Sequence, residues 1–138
     1  MKKLNVYLTF PGTCEEALNF YKDCLGGRIV SMQRFGESPV NAPDDYKQKV
    51  MHAVLESEGV LIMASDAMPD QPVTVGNNVH LSLDFSDAAD QETVFNKLST
   101  GGQVYMPLEK TFWGAVFGML DDKYGTSWLL NRDVSSEQ

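Results

Sequence analysis

Apolar and polar side chains alternate along this chain in short runs, and the alternation gives way twice to a helical period. Residues 4–10, Leu-Asn-Val-Tyr-Leu-Thr-Phe, show the period of two that marks a strand. Thr13 followed by Glu16 has the form of a capping box, which opens a helix through about Cys24 that Gly26-Gly27 ends. Strands are expected at 28–35, 49–56 and 60–65, the last two joined by a turn around Ser57-Glu58-Gly59. The intervening stretch, 36–47, is rich in Pro, Asn and Asp and reads as a loop. The same order then returns, with a strand at 78–86, a helix at 87–99 and strands at 103–108, 115–121 and 126–131. The spacing thus predicts a βαβββ module at about 4–66, a linker at 67–76 able to act as a hinge, and a second βαβββ module at about 77–132.

The two modules are copies. Leu8-Thr9-Phe10 returns 75 residues later as Leu83-Asp84-Phe85, and Phe20 with Gly26-Gly27 returns at the same offset as Phe95 with Gly101-Gly102. At an offset of 66, Val50 matches Val116 and Gly59 matches Gly125, which aligns 50–66 with 116–132. Strand, helix, glycine stop and hairpin are all duplicated.

Composition narrows the setting. With 138 residues, 43% of them apolar, the chain is expected to form one domain that closes its core without disulfides or a structural metal. Cys14 and Cys24 lie ten residues apart on one helix, which at ~1.5 Å per residue separates them by ~15 Å, beyond disulfide reach. Reduced thiols and a cytoplasmic location follow. No export signal is visible, and no apolar run approaches the roughly 18 residues of a membrane span. The net charge of −8, with no Lys/Arg cluster, argues against nucleic acid as a partner. The acidity reads first as ordinary solubility and, more sharply, as preference for a cationic ligand.

Several segments carry a resemblance to a known family. They are Cys14-Glu15-Glu16-Ala17 with Phe20-Tyr21, Met51-His52-Ala53, Met63-Ala64-Ser65-Asp66, Thr111-Phe112-Trp113-Gly114 with Phe117-Gly118-Met119, and Trp128 with Asn131. In order and spacing they resemble the PhnB-like branch of the vicinal oxygen chelate superfamily, which joins glyoxalases, bleomycin-resistance proteins and dioxygenases. The resemblance spans nearly the whole chain. It implies an α+β fold, two βαβββ modules whose curved mixed sheets surround a cavity, commonly within a homodimer. Chemistry follows less closely, because the superfamily holds metal lyases, isomerases, dioxygenases and metal-free drug-binding proteins. The demethylubiquinone methyltransferase label carried by some members finds no support, since the Gly-Gly pairs sit at helix ends and not in a strand-to-helix nucleotide loop.

Metal-dependent members place His or Glu on the first and last strands of each module, facing the cavity. The positions that resemble those ligand sites are Asn5, Met63, Asn78 and Leu129, with a register alternative that moves Asn78 to His80. A first-row metal needs three or four His, Cys or carboxylate donors at ~2.0–2.3 Å, and Met63 and Leu129 remove two corners. No metal and no cofactor are expected, and a mixed site of His52, His80 and Asp84 would need a convergence that the sequence does not show.

Strand parity assigns the faces. Leu8, Phe10, Leu81, Leu83 and Phe85 are expected under the helices, leaving Asn5, Tyr7, Thr9, Asn78, His80, Ser82 and Asp84 toward the cavity. Trp128 has helix-facing parity, opposite to Leu129 and Asn131. Tyr7, Thr9, Ser65, His80, Ser82, Phe112, Trp113 and Asn131 are the candidate ligand-binding residues: an apolar lining, to which Met63 and Met119 can add, with a few polar groups. Phe112 and Trp113 offer ring faces for stacking or for a cation, or else plug a barrel end or an interface. His80 and His52 are the candidate acid/base groups. Cys14 and Cys24 read as structural thiols, and no nucleophile-elbow sequence is present. The sequence points first to metal-free binding of a small aromatic or cationic molecule. The alternatives are a divergent metal-dependent or acid/base lyase, isomerase or dioxygenase-type enzyme on a small carbonyl metabolite, and a purely structural role. A homodimer is expected to cover open sheet edges.

Overall fold

The computed structural model describes residues 1–135, which fall into two compact units that divide after Thr74. Unit 1 holds β1 (Val6–Phe10), α1 (Cys14–Leu25), β2 (Arg28–Arg34), β3 (Val50–Ser57) and β4 (Val60–Asp66). Its sheet runs β1-β4-β3-β2, with β1 parallel to β4 and the other pairs antiparallel. Unit 2 repeats the plan with β5 (Leu81–Phe85), α2 (Ala88–Ser99), β6 (Gln103–Lys110), β7 (Ala115–Asp121) and β8 (Ser127–Asp133), in the order β5-β8-β7-β6. The α+β fold with two mixed βαβββ sheets is therefore as the alternation predicts. The loop at 36–47 contains a 3₁₀ turn at Asp44–Tyr46 and overlaps another at Phe35–Glu37.

Each sheet has a dry face and an open face, because strand side chains alternate. In unit 1 Phe10, Ala53, Leu55, Ile62 and Ala64 are buried, as are Ala17, Leu18 and Tyr21 of α1, the helix that packs on β2, β3 and β4. In unit 2 Leu120, Trp128 and Leu130 are buried on the side of α2, with Val94, Phe95 and Leu98. Full burial of such side chains contributes about 1.5–3 kcal/mol each, so the dry faces hold helix to sheet. Trp128 has the parity expected and donates its indole N–H to the buried Asp122 at 2.8 Å.

The capping box does not form. Thr13 occupies the N-cap of α1, but its φ/ψ of −111°/16° lies outside the extended conformation that aims a cap side chain, and no such hydrogen bond is made. Asp87, at −114°/128°, does cap α2, accepting from the Asp90 N–H at 2.9 Å. The start of α1 is held instead from β4. The buried carboxylate of Asp66 accepts the Cys14 N–H at 2.8 Å and the Val50 N–H at 2.9 Å, tying helix, β3 and β4 together. Unit 2 meets the same need differently. Gln91 on α2 donates to the Val116 carbonyl at 2.9 Å and accepts from Arg132 at 3.2 Å, and Val116 and Arg132 are the repeat mates of Val50 and Asp66.

The offset of 66 holds at the ends of the hairpins but slips between them. Met51 and His52 lie between the buried Val50 and Ala53 of β3, as Val116 and Phe117 lie between the buried Ala115 and Gly118 of β7, so by burial the offset here is 65. Arg34 pairs with Val50 and Gln33 with His52, so Met51 is the extra residue of a β-bulge. A hairpin shorter by one residue restores the register, since six residues separate the paired Leu55 and Ile62 in unit 1 and seven separate the paired Leu120 and Trp128 in unit 2.

The duplicated Gly-Gly pairs have a common steric origin. Gly26 and Gly101 end their helices at φ 76° and 75°. A Cβ on Gly27 would lie 2.2 Å from the Glu56 carbonyl oxygen, and one on Gly102 would lie 2.2 Å from that of Asp121. Each pair turns the chain and then passes directly against the next hairpin.

Several strand bounds differ from the sequence reading, β1 starting at Val6 and β8 running to Asp133 among them. β5 starts at Leu81, not 78, because its single neighbour β8 starts at Ser127 and the first registered pair is Leu81 with Trp128. β6 runs on to Lys110 as an edge strand with register irregularities on both sides of Met106, next to Pro107.

Candidate functional site

The open faces carry the candidate residues. In unit 1, register places Tyr7 beside Met63 and Thr9 beside Ser65, while Val54 also pairs with Met63 and His52 with Gln33. Tyr7, Thr9, Met63, Ser65, His52 and Gln33 therefore share one face, none of them fully buried. The Tyr7 hydroxyl and His52 Nδ1 are 3.3 Å apart, and the two rings stack at 5.8 Å with an interplanar angle of 29°. Sequence reasoning named both residues but not their contact, which reaches across β4.

In unit 2 the open face presents Ser82 and Asp84 on β5, Leu129 and Asn131 on β8, Phe117 and Met119 on β7, and Met106 and Glu109 on β6. Asn131 Nδ2 donates to Asp84 Oδ1 at 3.4 Å. Phe112 and Trp113 lie between β6 and β7. Trp113 is 55% exposed and stands edge-to-face with Phe112 (5.0 Å, 89°) and with Phe117 (5.9 Å, 67°). Phe112 projects almost wholly into solvent. Phe117, which the sequence reading left out of the ligand set, links Trp113 to the strand that pairs with Asn131. It sits two residues before Met119, at a parity that the hairpin pattern already gave.

His80 lies in the exposed segment just before β5, outside the strand. Asn5 and Asn78 also fall outside the strands and are exposed, whereas Met63 and Leu129 sit on the open faces without an oxygen or nitrogen donor. This donor set does not fit the metal centre that the fold family implies, and among the described residues no three His, Cys, Asp or Glu side chains are grouped as a metal would require. A cleft of about 340 Å³ beside the 36–47 loop is lined by Ser38, Val40, Asn41, Asp44 and Lys47, none of them a candidate residue.

Cys14 and Cys24 are free thiols in the core. Burial, with the nearby Asp66 and Glu15 carboxylates, pushes the Cys14 thiol up to about 12. Its contribution to stability is complete below about pH 9, the ordinary value of a thiol, and is lost as pH rises from there through about 12. Iodoacetamide at pH 8 is therefore expected to leave Cys14 unmodified in the folded protein and to label it in urea, as peptide mass mapping would show. Rapid labelling of the native protein would contradict the burial.

The glyoxalase/bleomycin resistance protein/dioxygenase superfamily model matches residues 3–130, and the chain belongs to that superfamily. Within it the chain is PhnB-like. It is 31% identical to the protein YjdN of Escherichia coli, over 93% of each chain. The crystal structure of protein PA1353 from Pseudomonas aeruginosa is 41% identical with a TM-score of 0.87, covering 96% of this chain and 98% of that one. The PhnB protein of Bacillus cereus, named as a candidate 3-demethylubiquinone-9 3-methyltransferase, is 31% identical with a TM-score of 0.80, covering 95% and 99%. No helix among the described residues is long and apolar enough to cross a membrane.

Proposed function

We propose that this PhnB-like protein binds a small aromatic or cationic molecule on the open faces of its sheets without a metal, as a cytoplasmic homodimer. The reading rests on Trp113, a large ring left half in solvent and braced at steep angles by Phe112 and Phe117. A braced ring loses little freedom when a ligand covers it, and the area removed from water contributes about 1–3 kcal/mol per aromatic contact. The carboxylates of Asp84 and Glu109 on the same face favour a cation over an anion. Met63 and Leu129 support the metal-free part, because they stand where family ligands would be. The dimer is supported by β1, β2, β5 and β6, each an edge strand of its own sheet.

Trp113→Ala is expected to weaken a ligand found by thermal-shift screening at least tenfold, with the melting temperature and the sedimentation of a dimer unchanged. Lost stability or dissociation with unaltered affinity would make Trp113 a packing or interface residue and retire this reading. A second reading, acid/base chemistry on a carbonyl, is favoured by one observation only, the Tyr7–His52 contact.

A further inference from the structure

One row of side chains crosses the open face of the unit 2 sheet from edge to edge. Asp84 pairs with Asn131, Asn131 with Phe117 and Phe117 with Glu109, so the row runs through β5, β8, β7 and β6. Paired residues on neighbouring strands point the same way. The Phe117 ring therefore has the exposed Glu109 on one side and, on the other, the Asn131 amide that bonds Asp84 at 3.4 Å. The basic residues of these strands face the other way. Lys110 pairs with Val116, and Arg132 pairs with Phe85 and Val116 and bonds Gln91 of α2.

Trp113 reaches this row from the tip of the β6–β7 hairpin, and the tip is fixed. The Thr111 N–H donates to the Ala115 carbonyl at 2.7 Å, the Ala115 N–H donates to Thr111 Oγ1 at 3.2 Å, and the Gly114 carbonyl accepts the Val134 N–H at 2.8 Å. The planes of Trp113 and Phe117 meet at 67° with centroids 5.9 Å apart, and Phe112 stands at 89° to Trp113. Planes so inclined form a wedge. A flat ligand ring lies along only one wall of a wedge, whereas a rounded head touches both.

We propose that this wedge takes the methylated ammonium head of a small molecule, with Glu109 as its counter-charge. The inference rests on the binding reading above and narrows it from aromatic or cationic ligands to quaternary ammonium ones. A ring face attracts a cation through its quadrupole but offers no lone pair to an N–H. A primary ammonium would give up the water around its N–H groups and find few acceptors there in return. A trimethylammonium head has no N–H to leave unmet, spreads its charge over its methyl groups and buries apolar area against both rings. Glu109 adds an attraction that a neutral head of the same shape lacks, and it acts without a hydrogen bond.

The probes are choline, ethanolamine and the neutral analogue of choline in which a tert-butyl group replaces trimethylammonium. Each is titrated at matched ionic strength into the ¹⁵N-labelled full chain, and the indole N–H signals are followed by NMR, with Trp113→Phe assigning them. Choline is expected to move the Trp113 signal and leave that of the buried Trp128 in place. Its affinity should exceed that of either other probe by about threefold or more, the size of a single exposed cation–π contact. Phe117→Leu, which keeps the bulk and removes the ring, and Glu109→Gln should each weaken choline by about two- to fivefold. Glu109 is exposed on an edge strand, so Glu109→Gln keeps the test readable if Phe117→Leu loses stability. No response to choline, equal affinity for the neutral analogue, or choline affinity unchanged in Glu109→Gln overturns the inference. The binding reading fails separately. An aromatic ligand whose affinity depends on Trp113, with choline no better than its neutral analogue, leaves binding in place and removes the ammonium head. Affinity for every ligand indifferent to Trp113→Ala removes the binding reading itself.

Discussion

Replacing Asp66 with alanine is expected to destabilise the protein more than loss of any exposed charge. The carboxylate is buried and satisfies the backbone N–H groups of Cys14 and Val50. Leaving a buried donor unmatched costs about 1–3 kcal/mol, so the pair together costs about 2–6 kcal/mol. At roughly 2–4 °C per kcal/mol for a chain of this size, melting should fall by roughly 5–20 °C. Asp66→Asn keeps one acceptor and should recover about half the loss. Urea denaturation of the three proteins decides the matter. A loss in Asp66→Ala below about 1 kcal/mol would mean that water replaces the carboxylate and that α1 is anchored elsewhere. Gln91→Ala probes the corresponding tie in unit 2, where the groups released are a carbonyl and a guanidinium.

Gly27→Ala and Gly102→Ala should be comparably damaging, for a steric reason. A methyl group placed 2.2 Å from a backbone carbonyl oxygen cannot be accommodated by a rotamer change, so the hairpin or the helix end must move. Forced overpacking of this kind costs about 1–3 kcal/mol and occasionally more, and Gly27 adds the strain of its φ of 109°. Gly26→Ala is the control. It has the same need for positive φ but no atom within 4 Å of an added Cβ, so only the conformational cost of about 1–2 kcal/mol applies. If chemical denaturation ranks Gly26→Ala as the worse variant, close approach is not the reason for the second glycine.

Element order and faces were legible in the sequence because they depend on period alone. Leu8 and Phe10 against Tyr7 and Thr9, or Trp128 against Leu129, are separated by alternation whatever the rest of the chain does. What depends on a partner strand was not legible. His80 has the parity of a strand residue, but β5 extends no further than β8 allows. The repeat offset would place His52 at Gly118, under the helix, and only the paired strands disclose the bulge and the shorter turn that cancel it. Thr13 and Glu16 have the letters of a capping box, yet Thr13 makes no cap hydrogen bond, and the Cys14 N–H is met by an aspartate 52 residues further on. The Tyr7–His52 contact bridges 45 residues of sequence, so no local pattern could announce it.

The irregular register of β6 bears on how the protein behaves in a crowded solution. Val104, Tyr105 and Met106 leave much of their surface in water on an edge strand, a combination that invites foreign strands to add on and propagate. Propagation needs an unbroken row of backbone donors and acceptors. Pro107 has no N–H, and the register breaks on either side of Met106 interrupt the row. The edge is therefore adhesive through its side chains but a poor template through its backbone. A surface of that kind can accept a partner shaped to fit it while resisting the indiscriminate strand-by-strand growth that seeds fibrils.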